Sequence, residues 1–305
     1  MESAAPRTIA DVEEGLRAAG YLPSRSTALV SHLAVTLGKP VLVEGPAGVG
    51  KTELAKALST MLQRPLIRLQ CYEGLDEAKA LYEWNYRKQL LRIQASEGEQ
   101  QTAWESLQED IFGEEFLLTR PLMRAIASEQ PVVLLIDEID KTDQEFEAML
   151  LEVLSDFQIS IPELGVVKAR TQPVVVLTSN NSRELTEALK RRCLYLWLDY
   201  PELEQELAIV RLHAPDLSET VARRLVELVG MVRDLDLKKP PSIAESIDWA
   251  RALLLLGAKD IDATLFTETM SVIVKHRTDM DVVAERVGVK LAERSDAATV
   301  DAGGT

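Results

Sequence analysis

The sequence predicts an α/β protein in which a three-layer αβα core contains a parallel five-stranded sheet and a helical domain follows. Five short apolar runs rich in Val, Ile and Leu alternate with segments of helical periodicity. After residue 200 only helical patterns remain. The 305 residues also exceed the roughly 100–200 of a usual single domain, which favours a large domain joined to a smaller one.

The predicted strands are the apolar runs themselves. The segments between them place apolar residues at helical spacing, as in Leu54, Leu58 and Leu62. Strands that alternate with helices require crossover connections, which put helices on the faces of the sheet. The five runs are Pro40–Glu44, Pro65–Gln70, Val132–Ile136, Pro173–Thr178 and Leu194–Leu198.

Two stretches interrupt this alternation. Roughly sixty residues separate the second and third strands, too many for one crossover helix, so we predict an inserted hairpin or helix within residues 71–112. Its aromatic residues Tyr82, Trp84 and Tyr86 either pack locally or form a surface for a protein partner. Alternation around a Pro and a Gly predicts a hairpin over residues 157–169.

The domain boundaries follow from where the strand signal stops. We expect the αβα core over residues 1–200, with the insertion inside it, and a helical domain over residues 201–292. The residue before Pro201 is biased away from helix, which supports a boundary there. Ser242 and Glu245 match a capping box that starts a helix. Residues 293–305 are predicted to be a disordered tail.

Charge and cysteine content narrow the functional classes. The net charge is −15 and no run of five basic residues occurs, which disfavours a nucleic-acid partner. Cys71 and Cys193 lack metal-site spacing and are expected to be reduced thiols. The first residues have no apolar leader, and no apolar stretch approaches ~18 residues. We therefore expect a soluble cytoplasmic protein without a membrane partner.

A phosphate-binding loop follows the first predicted strand. The motif GPAGVGKT lies between that strand and a helical segment, the context of a P-loop. Its glycines let backbone N–H groups face phosphates at the positive end of a helix. Its Lys adds charge on the β/γ oxygens, and its Thr hydroxyl can bind Mg²⁺. The predicted nucleotide-binding residues are Gly45, Pro46, Ala47, Gly48, Val49, Gly50, Lys51 and Thr52.

Two acids follow the third predicted strand. Asp137 would lie beside the P-loop, and we predict that it binds the nucleotide's Mg²⁺ together with Thr52. Glu138 is the candidate base for the attacking water, which indicates hydrolysis. The motif DKTD resembles a guanine-reading NKxD but begins at Asp140, too close to the Mg²⁺ acid, so ATP is preferred. Gln70, at the end of the second strand, could link Glu138 to the insertion.

Candidate catalytic residues also follow the fourth strand and precede the fifth. Asn180 is predicted to sense the γ-phosphate and the water, with Asn181 as the alternative. Arg191 and Arg192 lie between a helix and the fifth strand, where a cation could act on the nucleotide of a neighbouring subunit. We prefer Arg192 as this finger. The alternative is that either Arg only stabilises a helix C-terminus.

The P-loop, the acidic pair, the Asn and the paired Arg resemble, in this order, the AAA+ ATPases over about residues 15–290. The long insertion is similar to that of the MoxR family. FLLTRPLMRAI at Phe116–Ile126 and RLQCYEGLDEAKALYEWNY at Arg68–Tyr86 are similar to its CoxD-type branch, which serves carbon monoxide dehydrogenase maturation. This resemblance implies a sheet of strand order 5-1-4-3-2, a helical lid, ATP and Mg²⁺ as cofactors, and a homo-oligomeric ring, with a hexamer as the expected assembly.

The resemblance also implies a biological role. It suggests a chaperone that remodels a protein client during maturation or metal-centre assembly of a molybdenum or other metallo-oxidoreductase, with a von Willebrand A-type adaptor. The alternatives are a nucleic-acid-stimulated AAA+ motor and a nucleotide-gated scaffold without catalysis. One departure concerns the lid helix, where Ala244 stands at the place of the family's γ-phosphate Arg, and Arg251 lies two turns later. Nucleotide sensing by the lid is therefore not predicted.

Overall fold

The computed structural model describes residues 6–96, 111–162 and 164–288. They form two compact units. The first contains the chain up to Gly45 and Lys51–Trp197, and the second contains Pro46–Gly50 and the chain from Leu198 onward. The predicted tail and part of the predicted insertion lie outside the described residues.

A parallel five-stranded sheet forms the centre of the first unit. Within the described residues the strands are β1 (Val41–Glu44), β2 (Leu66–Gln70), β3 (Tyr82–Trp84), β4 (Leu117–Thr119), β5 (Val133–Asp137), β6 (Gln158–Ile161), β7 (Gly165–Lys168), β8 (Val174–Ser179) and β9 (Leu194–Trp197). The sheet has the order β2-β5-β8-β1-β9, with every adjacent pair parallel. Since these are the five predicted strands, the predicted sheet and its order 5-1-4-3-2 are confirmed.

Helices pack against this sheet, and local capping sets several of their ends. The described helices of the first unit are α1 (Ile9–Ala18), α2 (Arg25–Leu37), α3 (Lys51–Leu62), α4 (Glu77–Ala80), α5 (Tyr86–Ser96), α6 (Pro121–Ile126), α7 (Gln144–Asp156) and α8 (Glu187–Lys190). Thr8 and Asp11 form a capping box at the start of α1, and Asp143 caps α7. Gly38 ends α2 with a left-handed φ of 62°. Helices α2, α3 and α6 contact the sheet strands.

The insertion after β2 contains both a strand pair and helices. Strands β3 and β4 pair antiparallel, and α4 and α5 flank β3. Trp84 is only 8% exposed and packs edge-on against Tyr82 and Phe112, with ring centroids 6.3 and 5.2 Å away. Local packing is therefore the correct interpretation for Trp84, and its assignment to a protein-facing surface is wrong. Tyr86 is 63% exposed.

The hairpin predicted before the fourth sheet strand is present. Strands β6 and β7 pair antiparallel, with Gln158 opposite Lys168 and Ile161 opposite Gly165. Gly165 has a left-handed φ of 80°, which the turn requires and which glycine adopts without strain. The hairpin follows directly on α7 and contacts it.

The second unit is helical. Its described helices are α9 (Leu203–His213), α10 (Glu219–Arg233), α11 (Ile243–Leu255), α12 (Ala263–Thr269) and α13 (Arg277–Val283). Trp249 is fully buried, packs edge-on against Phe266 and donates a hydrogen bond from Nε1 to Thr269 Oγ1 at 2.9 Å. The backbone N–H of Ser242 donates to Glu245 Oε2 at 2.9 Å, so the predicted capping box starts α11.

Membrane-crossing segments are absent from the part of the chain that the structure describes. None of its helices combines the length and apolar character needed to pass through a lipid bilayer.

A buried ion pair holds the segment before α11. The two terminal nitrogens of Arg233 donate to the two carboxylate oxygens of Glu206 at 2.5 and 2.8 Å, and its Nε donates to the carbonyl of Pro241 at 2.7 Å. The guanidinium also lies 4.6 Å from the ring centroid of Tyr200. Ser246 adds a hydroxyl donor to Glu206 at 2.7 Å. These contacts fix where α11 starts.

We predict that Arg233→Met destabilises the second unit by about 3–5 kcal/mol, because Glu206 would remain buried without its counterion. The matched control is Arg223→Met, which removes an exposed pair with Glu204 and should cost far less, because solvent screens that pair. Denaturant unfolding of both variants measures the difference. Equal losses for the two variants would contradict the prediction.

Candidate active site

The candidate site lies at the carboxyl ends of three adjacent parallel strands. The P-loop follows β1, Asp137 ends β5, and Asn180 follows β8. Because these strands are neighbours in the order β5-β8-β1, the three segments meet at one edge of the sheet. Open α/β sheets bind their ligands at this edge.

The P-loop backbone needs glycine at specific positions. Gly48 and Gly50 have φ values of 75° and 95°, which side-chain-bearing residues rarely adopt. Within the second unit, a Cβ on Gly48 would also lie 2.3 Å from the Ser242 side chain. Lys51 and Thr52 open α3, so the loop leads directly into a helix N-terminus.

The Lys51 side chain is held inside the loop. Its Nζ donates to the carbonyl of Gly45 at 2.7 Å, and the residue is buried. Burial lowers the pKa of Lys51, whereas four nearby carboxylates, that of Asp140 foremost, oppose this by favouring the charged form. The acids of the site therefore help to keep a cation where phosphates would bind.

The Asp137 carboxylate accepts hydrogen bonds from three side chains. Its Oδ1 accepts from Thr52 Oγ1 at 3.0 Å and from Thr178 Oγ1 at 2.6 Å. Its Oδ2 accepts from Arg68 through Nε at 3.1 Å and Nη2 at 2.6 Å. The structure thus brings together the predicted metal ligands Thr52 and Asp137, and it adds Arg68 to them.

Glu138 has an uncommon backbone conformation. Its φ of 59° and ψ of 50° are left-handed, a region that a non-glycine residue occupies only when its surroundings hold it there. Its N–H donates to Thr178 Oγ1 at 2.9 Å. Asn180 Nδ2 donates to one carboxylate oxygen at 3.4 Å, and Gln70 Nε2 donates to the other at 3.2 Å. Amide donors therefore orient both oxygens of this carboxylate.

The two neighbouring Asn residues differ in their surroundings. Asn180 reaches Glu138 through its side chain, whereas Asn181 is a turn residue with a left-handed φ of 57° whose N–H donates to Ser179 Oγ at 3.0 Å. The geometry places Asn180, and not Asn181, beside the acid.

Asp140, the first residue of the DKTD motif, has a structural role. Ser182 donates to its Oδ2 from the backbone N–H at 2.9 Å and from the hydroxyl at 2.6 Å. Burial pushes the pKa of Asp140 up, but these hydrogen bonds outweigh it and the pKa is lowered. The charged Asp140 therefore ties the turn after β8 to the segment after β5.

Arg191 and Arg192 lie at the opposite edge of the sheet from their own P-loop. Both precede β9, whose first residue Leu194 donates its N–H to the carbonyl of Pro40, just before β1. The P-loop leaves the other end of β1, and β1 and β9 are parallel. At about 3.3 Å per residue, the length of β1 separates the two edges by roughly 10 Å or more.

The paired arginines line an open cavity of about 670 Å³. Arg192 is exposed, and it donates from Nε to Ser155 Oγ at 2.5 Å and from Nη1 to the carbonyl of Ala188 at 3.1 Å. Lys39 and Lys168 line the same cavity. The cavity is therefore rich in cations.

The residues present fit a Mg²⁺-nucleotide. Thr52 donates its hydroxyl proton to Asp137, which leaves its oxygen lone pairs for a metal. Mg²⁺ in nucleotide sites commonly binds one or two protein oxygens and takes the rest from phosphates and water. Consistent with this, no group of three or more His, Cys, Asp or Glu side chains able to hold a metal occurs among the described residues.

Sequence reasoning did not single out Arg68 and Thr178 as site residues. Thr178 is the last residue of the fourth predicted strand, and its polar hydroxyl follows four apolar residues. Arg68 was visible as a charge inside an apolar strand, flanked by Ile67 and Leu69. An unexplained cation in a buried strand was therefore the available signal.

The fold and the site define a P-loop nucleotide-binding protein with acids placed for hydrolysis. Residues 41–196, just over half of the chain, match the family described as "ATPase family associated with various cellular activities (AAA)". The chain belongs to this family, and it is an ATPase.

Named relatives refine the family. The gas vesicle ATPase GvpN1 of Halobacterium salinarum is 23% identical over 85% of this chain and 71% of its own length. The denitrification regulatory protein NirQ of Pseudomonas aeruginosa is 24% identical over 65% of this chain and 69% of its own. Both are MoxR-family AAA+ ATPases, so the predicted MoxR family is confirmed, while the CoxD-type branch stays a prediction.

The chain also aligns with solved structures. The RuvB Holliday junction branch migration motor of Thermotoga maritima aligns over 85% of this chain and 69% of its own, with a TM-score of 0.49 and 18% identity.

Proposed function

We propose that this ATPase binds ATP with Mg²⁺ at the β1–β5–β8 edge of the sheet and hydrolyses it through Glu138. The observation that carries the proposal is the orientation of the Glu138 carboxylate. Gln70 and Asn180 each donate a hydrogen bond to one of its two oxygens, at the edge of the sheet where the P-loop lies. The P-loop, from Gly45 to Thr52, binds the phosphates. Thr52 and Asp137 take the metal, which when bound neutralises charge on the phosphate oxygens.

In this proposal the steps of hydrolysis are divided among three side chains. Lys51 places a positive charge on the β/γ oxygens. Glu138 aligns the attacking water and accepts its proton. Asn180 orients Glu138 and, through the same amide, the γ-phosphate. The strained backbone of Glu138 supports this role, because strain of this kind clusters at functional sites.

We predict that Lys51→Ala abolishes nucleotide binding, whereas Glu138→Gln keeps ATP binding and loses turnover. Gln preserves the shape of Glu138 and can still accept from one of the two amides, but it cannot accept the proton. Binding of a fluorescent ATP analogue and steady-state phosphate release measure the two effects. Turnover by Glu138→Gln at near the parent rate would reject Glu138 as the base.

We propose further that the chain works as a homo-oligomeric ring, a hexamer in the arrangement implied by its family. Arg192 lies at the edge of the sheet away from its own P-loop and is exposed, and it would exchange its hydrogen bonds to Ser155 and Ala188 for a phosphate bound by another copy. In this arrangement Arg192 contacts the γ-phosphate bound by the next subunit, and Arg191 supports it. Such a finger stabilises charge that develops in the transition state.

We expect Arg192→Ala to bind ATP normally and to lose on the order of 10³ in hydrolysis rate. Mixing it with Glu138→Gln should restore part of the activity, because some interfaces then pair an intact finger with an intact base. Phosphate release by mixtures of known composition is the measurement. Mixed rings that form and stay inactive would argue against a finger acting between subunits.

The proposed client is a protein. A MoxR-type ring in the cytoplasm would act as a chaperone, with a von Willebrand A-type adaptor, in maturation of a molybdenum or other metallo-oxidoreductase, as in the CoxD-type branch. The net charge of −15 supports a protein client over nucleic acid.

Deleting the gene should leave the client oxidoreductase expressed and folded but short of metal or sulfur at its active site. Metal analysis of the purified oxidoreductase measures this, with the strain carrying Glu138→Gln as the matched control for lost turnover. In vitro, the adaptor and neither DNA nor RNA should stimulate ATP hydrolysis. A metal-replete oxidoreductase in the deletion strain, or stimulation by nucleic acid alone, would refute the maturation role.

A further inference from the structure

Arg68 brings a second cation to the proposed metal site. It lies on β2, the edge strand of the sheet, where its register partner is Leu135 and Gln70 is opposite Asp137. Its side chain is 49% exposed, whereas that of Asp137 is 3% exposed. The guanidinium therefore reaches a buried carboxylate from the solvent side of the sheet edge.

The hydrogen bonds at Asp137 divide between its two oxygens. Two hydroxyls, of Thr52 and Thr178, serve Oδ1, and two N–H groups of Arg68 serve Oδ2. Both Arg68 donors share this one oxygen, and hydrogen bonds between charged partners are stronger than those between neutral ones. The charge of Asp137 is thus balanced by a residue of its own chain.

Resting on the function proposed above, we propose that Arg68 is a positioning residue that holds Asp137 in the nucleotide-free protein and sets its Mg²⁺ requirement. The oxygen that Arg68 occupies is the one that the hydroxyls of Thr52 and Thr178 leave open. A hydrated Mg²⁺ and the guanidinium are both donors to the same carboxylate, so Arg68 has to leave Oδ2 before Asp137 can serve the metal. The half-exposed side chain can rotate into solvent without disturbing the core.

The same movement reaches Glu138. Arg68 Nη2 also donates to the side-chain oxygen of Gln70, and the Gln70 amide donates to Glu138 at 3.2 Å. When Arg68 leaves, Gln70 loses the donor that fixes its amide plane. When Arg68 releases Asp137 to the metal, the Glu138 carboxylate, which is proposed to activate water, is therefore held less firmly by Gln70.

The test is nucleotide affinity as a function of Mg²⁺ for the full chain and for Arg68→Gln, with a fluorescent ATP analogue and hydrolysis not required. In Arg68→Gln the Mg²⁺ concentration at half-maximal binding should fall about threefold to tenfold, because the competing cation is gone. In EDTA the same variant should bind ATP more weakly by a similar factor, because Asp137 is then unbalanced beside the phosphates. A purely structural role would move both affinities in the same direction.

Three variants complete the design. Arg68→Lys keeps a charge but loses the fork, so its Mg²⁺ midpoint should lie between those of the parent and Arg68→Gln. Arg120→Gln is the matched control, since it removes a half-exposed pair with Glu83 away from Asp137 and should leave the midpoint unchanged. Asp137→Asn should raise the midpoint.

The outcomes separate this inference from the proposed function. A midpoint that Asp137→Asn raises and Arg68→Gln leaves unchanged or raises overturns the role of Arg68 alone. A midpoint that Asp137→Asn does not move overturns the metal role of Asp137, and the inference with it.

Discussion

The hydroxyl of Thr178 is the contact on which the site depends. It donates to Asp137 Oδ1 and accepts from the N–H of Glu138, so one atom on β8 holds the last residue of β5 and the acid that follows it. This bond satisfies the N–H of Glu138 in its left-handed conformation, which a non-glycine residue keeps only when its surroundings support it. The positions of both acids therefore follow from the pairing of β5 with β8.

Charge balance is the second constraint on this edge of the sheet. Asp137 and Asp140 are buried, as is Lys51, and burial of unpaired charges is strongly unfavourable. Arg68 pairs with Asp137, Ser182 donates two hydrogen bonds to Asp140, and the nearby carboxylates partly offset the lowering of the Lys51 pKa by burial. The acids around the P-loop therefore oppose the effect of burial on the Lys51 pKa at the place where phosphate oxygens would bind.

The sequence predicted the parts of this arrangement that are local. The P-loop motif, the acids after an apolar strand and Asn180 after another each follow from a run of adjacent residues. The contacts of Arg68 with Asp137 depend on the register of β2 against β5, and no local pattern determines which residues face each other across two strands. The burial of Trp84 likewise depends on Phe112, 28 positions away in the chain, which packs against its ring.

Arg192 lies at the amino ends of the parallel strands, whereas Arg68 and Gln70 lie near the carboxyl end of β2. Arg192 precedes β9, and the P-loop leaves the far end of the parallel strand β1, so about one strand length separates Arg192 from its own P-loop. Arg68 and Gln70, by contrast, lie on the strand that leads into the insertion, and both contact the acids. Any displacement of β2 by a bound partner at the insertion would therefore move the donors of Asp137 and Glu138 directly. Arg192 and the contacts to the inserted region therefore lie at opposite ends of the parallel strands, so a neighbouring copy at one end and a partner at the insertion would act on the sheet from different sides.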